Sequence, residues 1–131
     1  MGVYGETAVA VANSYSPGQD PRECWEHSIT HFTNSRESRK KGCPKSAFLG
    51  LCQKGYVKGI QKGDYLPPES PNKNYAVAAA KLVLKEPGSK YSKAELWKKA
   101  TEDYPMAAKN QNGQMDVVLA LKEAGLLQKP D

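Results

Sequence analysis

Asp20-Pro21-Arg22-Glu23-Cys24-Trp25 and, 72 residues later, Ser92-Lys93-Ala94-Glu95-Leu96-Trp97 carry the same local instruction twice. A side-chain oxygen at the N-cap (Asp20, Ser92) precedes a carboxylate three residues on (Glu23, Glu95). That spacing lets the two side chains satisfy the backbone N–H groups that a starting helix leaves open. Pro21 stands at the first helical position, where its missing N–H costs nothing and its φ is already helical. Each tryptophan then heads an apolar stripe: Trp25, Ile29 and Phe32 in the first copy, and Leu96, Trp97, Ala100 and Tyr104 in the second.

Outward from these two starts, the helical period governs almost the whole chain. A first helix spans Val3 to Tyr15 and stops at Ser16-Pro17-Gly18. A polar, basic loop is expected from Asn34 to Gly42, and a third helix from Cys43-Pro44 to Gly55, which reads as a C′ glycine. Tyr56 to Ile60 reads as a short extended segment, wing-like across residues 56–65, and Gly63 to Asn72, with Pro67, Pro68 and Pro71, as a linker. Helices resume over Asn74–Lys85, after Ser92, and over Gln114–Ala124. At an offset of 70, Leu49, Leu51, Gly55, Tyr56 and Val57 fall on Leu119, Leu121, Gly125, Leu126 and Leu127. The expectation is an all-α fold of about six helices in two related three-helix, helix-turn-helix-like units. They form an internal repeat (3–62 and 73–129) within a single domain of residues 1–131. Each copy is small for a core of its own, so the copies should pack on one another.

Composition narrows the class. The chain has 131 residues, 39% apolar and 25% charged, enough to bury a core. No apolar run approaches the roughly 20 residues of a membrane span. Three cysteines are too few, and odd in number, for a disulfide scaffold, so a reducing cytoplasm is the expected location. The net charge of +5 is unevenly spread: residues 1–35 carry −3, residues 36–62 carry +7, and residues 63–131 carry +1. The corresponding loop of the second copy, Ala107 to Gly113, holds only Lys109.

Duplicated scaffolding does not require unduplicated charge, so the basic segment is the candidate site: Arg36, Arg39, Lys40, Lys41, Lys45, Lys58 and Lys62. Phosphates meeting such cations gain affinity by releasing counterions, which favours nucleic acid as partner, with an acidic protein as the alternative. The order of helix, loop, helix and extended segment is that of a winged helix-turn-helix. The third helix, however, is strongly apolar, and the loop before it is long for a tight turn. Tyr56 and Tyr65 flank the segment as candidate stacking partners for bases.

A different class rests on Cys43, a candidate reactive thiol at a helix start among lysines, where a thiolate is stabilised. Cys24, His27 and His31 share one helical face and offer a thiol and two imidazoles to zinc, but three ligands from one helix leave a tetrahedron incomplete. No phosphate-binding glycine loop or catalytic triad order is present, so no catalytic residue, metal or cofactor is expected. The expected state is a monomer or weak homodimer.

Gly42-Cys43-Pro44-Lys45-Ser46-Ala47-Phe48-Leu49-Gly50-Leu51-Cys52 is followed by Gly55-Tyr56-Val57-Lys58-Gly59-Ile60. This block, together with Gln114 to Leu121 and Gly125-Leu126, resembles a family of small uncharacterised bacterial proteins, a domain of unknown function. The resemblance spans most of the chain. It implies a bacterial cytosolic protein and supplies neither an activity nor site residues.

Overall fold

Helices form where the caps and stripes require them. The computed structural model describes residues 2–130. In it α1 spans Val3–Ser14, α2 Pro21–Ser28 (prolonged by a 3-10 turn, Ile29–His31), α3 Arg36–Lys40, α4 Gly42–Gln53, α5 Pro71–Lys85, α6 Lys93–Ala100 and α7 Gln114–Glu123. Six of these have eight or more residues; α3 is a five-residue helix inside the stretch expected to be a loop. Ser35 starts it by accepting the Ser38 N–H at 3.2 Å. Ser92 and Glu95 form the reciprocal capping box, whereas Asp20 accepts the Arg22 N–H at 2.9 Å. α5 begins earlier than expected because Pro71 takes the first turn. α6 ends before Tyr104, where the Thr101 hydroxyl donates back to the Trp97 carbonyl at 2.7 Å, a local bond that competes with helix continuation.

The packing crosses the middle of the chain. α1 lies chiefly against α7 and α4 chiefly against α5, while α4 and α7 meet at the centre. One apolar cluster results, with Trp25, Ile29, Phe48, Leu49 and Leu51 joined to Leu96, Met115 and Leu121. α4 is buried at Pro44 and along the unbroken run Ala47–Cys52. At Gly50 it is crossed closely by α5: a Cβ there would stand 2.7 Å from the Lys73 Cα. Lys73 itself is buried, and its ammonium donates to the Pro68 carbonyl at 2.9 Å.

The ends of α4 and α7 are closed in the same way. Gly55 (φ +84°) and Gly125 (φ +72°) occupy the left-handed region. The following N–H groups, of Tyr56 and Leu126, return to the Leu51 and Leu121 carbonyls, each at 2.9 Å, the double closure typical of a C′ glycine. The residues beyond then pair with one another. Val57 and Leu127 form an isolated antiparallel bridge, with Lys58 N–H on the Leu126 carbonyl and Gln128 N–H on the Tyr56 carbonyl. No strand is present among the described residues. The wing-like reading of residues 56–65 is therefore corrected: Val57 is wholly buried and Ile60 nearly so, and a wing must project into solvent.

The two tryptophans anchor different halves of the core. Trp25 stacks on Phe48 with ring centroids 5.3 Å apart, and its indole N–H has no acceptor among the described residues. The Trp97 N–H donates to the Ala108 carbonyl at 3.0 Å.

Gly50→Ala should lower stability by about 1–3 kcal/mol, because the new methyl meets backbone and overpacking outweighs the roughly 1 kcal/mol of helix propensity gained. Gly42→Ala, also in α4 but with nothing within 4 Å of its Cβ, should not lower the urea midpoint and should raise it slightly through helix propensity. Trp25→Phe should cost about 1 kcal/mol less than Trp97→Phe in the same titration, since only the latter removes a made hydrogen bond.

Candidate anion-binding surface

α4 divides the basic segment. Its 12 residues run about 18 Å, with Arg36, Arg39, Lys40, Lys41 and Lys45 at its N-terminal end and Lys54, Lys58 and Lys62 beyond its C-terminal end. At the first end much of the charge is engaged locally. Arg39 donates from Nε to the Thr33 carbonyl at 2.8 Å and from Nη2 to the Thr30 carbonyl at 3.3 Å, which ties α3 to the turn after α2. Lys45 pairs with Glu26 at 2.6 Å, and the Lys41 ammonium lies 5.6 Å from the centre of the Tyr4 ring. Arg36 and Lys40 are exposed, with no ion pair or hydrogen bond from their side chains among the described residues.

The second end collects cations from elsewhere in the chain. Lys54 and Lys58 are exposed and also without a side-chain partner among the described residues. The stem of Lys62 packs over Gly55, where a Cβ would meet its Cε at 2.7 Å and the Pro130 Cβ at 3.3 Å. Beside Pro130 opens a cleft of about 550 Å³ lined by Tyr56, Lys81, Leu84, Lys85, Lys129 and Pro130. Lys81, Lys85 and Lys129 lay outside the basic segment marked from the sequence. Their signal was present as a lysine pair four residues apart on α5, but nothing local connected it to residue 129. Tyr56 is only 6% exposed, so it lines the cleft by its edge and does not offer an open face for stacking. Tyr65 is half-buried, and its hydroxyl donates to the Gln61 carbonyl at 2.6 Å.

A larger cleft, about 680 Å³, lies between α6 and residues 104–111, with Lys93, Lys98 and Lys109 on its walls. Lys93 is paired there with Asp116.

The cysteines do not converge. Cys43 is half-buried in the first turn of α4, and Cys52 is deep in the core. Burial first, and Asp20 and Glu23 after it, push the Cys24 thiol above its usual range; burial pushes Cys52 far higher. His27 and His31 are exposed neighbours with rings 5.4 Å apart. Among the described residues no three His, Cys, Asp or Glu side chains group as a metal ion would need.

The fold and surface define an all-helical domain whose central helix is buried, with exposed cations at both of its ends. The chain belongs to a family of unknown function, DUF6979, whose model matches residues 1–128. We found no match among curated proteins or among solved structures. No helix among the described residues is long and apolar enough to cross a membrane.

The raised thiol and phenol values fix an alkaline response. Cys52 keeps its proton in the folded chain at a pH where the unfolded chain loses it, so its contribution is complete below about pH 8.5 and is lost as pH rises. Tyr65, pushed up to about 12 chiefly by burial, acts with the same sign above about pH 10. The urea midpoint should therefore fall between about pH 8 and 10.5, less steeply in Cys52→Ala, and Cys52 should resist alkylation until the protein unfolds.

Proposed function

We propose that this protein is a non-enzymatic binding module, built on an internally duplicated helical scaffold, whose partner is a phosphate backbone. The observation that carries this reading is the set Arg36, Lys40, Lys54 and Lys58. All four are exposed, and none has a side-chain partner among the described residues. Cations that are already neutralised have little to gain from a polyanion; these have the full counterion-release term available. The remaining members of the basic segment play supporting parts. Arg39 holds α3 in place, Lys45 is committed to Glu26, and Lys41 lies over Tyr4.

Recognition on this surface is of backbone and not of bases. A winged helix-turn-helix would present its third helix to the major groove. Here that helix is α4, buried through Ala47–Cys52 between α5 and α7, and that stretch has no side chains to spare for base edges. Duplication is supported by the matched closures at Gly55 and Gly125 and by the pairing of the residues that follow them.

Fluorescence anisotropy of a labelled DNA duplex, titrated at several salt concentrations, tests the proposal. If all four cations meet phosphates, the log–log salt slope should be about −3.6; contact through one end of α4 alone gives about half that. Arg36→Ala/Lys40→Ala and Lys54→Ala/Lys58→Ala should each reduce the slope by about 2. A slope near zero, or one unchanged in both variants, overturns the assignment.

A further inference from the structure

The cleft at Tyr56 has a chemistry that a plain solvated surface does not need. Lys81 and Lys85 come from α5 and Lys129 from the tail after the Val57–Leu127 bridge, so its cations are assembled from distant positions. No carboxylate among the described residues lines it. Glu86, next to Lys85 in sequence, accepts instead from the Ser89 hydroxyl at 3.1 Å. None of the three ammonium groups has a partner among the described residues. The C-terminal ends of α4 and α5 each contribute a negative dipole end worth only about half an elementary charge. The three ammonium groups outweigh those two partial charges. Its floor is different: Leu84 and Pro130 are half-buried apolar surface between the lysines. The volume of about 550 Å³ falls in the roughly 300–1,000 Å³ range of small-molecule clefts.

We infer that this cleft binds a small organic phosphate, with the phosphate held by Lys81, Lys85 and Lys129 and the apolar part of the molecule resting on Leu84 and Pro130. Lysine suits a phosphate dianion as a point charge, and three ammonium groups offer nine N–H donors to its oxygens. Inorganic phosphate would use only the charged half of the site. A neutral apolar compound would use only the floor.

This site is independent of the duplex-binding reading, which rests on Arg36, Lys40, Lys54 and Lys58. Isothermal titration with 1-naphthyl phosphate, inorganic phosphate and 1-naphthol separates its parts. The ester should bind at least about tenfold more tightly than either fragment, and Lys81→Gln/Lys85→Gln/Lys129→Gln should weaken it by about tenfold or more. All three lysines are exposed, so the variant should keep the wild-type thermal midpoint. Arg36→Ala/Lys40→Ala should bind the ester as wild type does. Equal binding by wild type and the triple variant, or no heat from the ester in wild type, overturns the inference even if the duplex still binds. A lost duplex with retained ester binding overturns only the backbone assignment.

Discussion

Burial of α4 is the constraint on which the rest of the structure depends. Its run Ala47–Cys52 is covered without a gap, which requires neighbours on more than one side, and α5 and α7 supply them. One of those neighbours can come close only because Gly50 has no side chain where Lys73 crosses. Along that stretch the helix has no face left for a ligand. It acts as a strut, and the exposed cations lie at its ends.

That displacement explains how the charge is arranged. Polar and basic residues excluded from the enclosed stretch of α4 gather before Ala47 and after Cys52. At the first end, Arg39 and Lys45 are used to hold elements together through the carbonyls of Thr30 and Thr33 and the carboxylate of Glu26. At the second, the chain leaves α4 through the left-handed Gly55 and pairs at once with the segment after α7. This pairing carries Lys129 and Pro130 to the side of Tyr56, where α5 presents Lys81 and Lys85. The cleft is thus a by-product of how the two helix ends are tied together.

The same tie accounts for the failure of the winged-helix reading. The order of elements along the chain matches that motif, but order says nothing about which element is enclosed. Tyr56 and Val57 looked like the start of a projecting ribbon, yet they are among the most buried residues after α4. An apolar residue at such a position is better stabilised beneath Leu127 than exposed to water.

Local physics made several features readable in the amino-acid order alone. The capping carboxylates, Pro21, the terminating glycines and the apolar stripes each act within a turn or two of helix, so the all-helical class and most helix positions followed from them. The five-residue α3 escaped notice because its one stabilising cap, Ser35, lies in a run with no apolar period. What tertiary structure decided was which faces are covered and which distant residues meet. Lys45 reads as free in sequence and is paired in space; Lys81 and Lys129 are 48 positions apart in sequence and line one cleft. Such neighbours are set by helices packing across the full length of the chain, and no local rule of spacing encodes that distance.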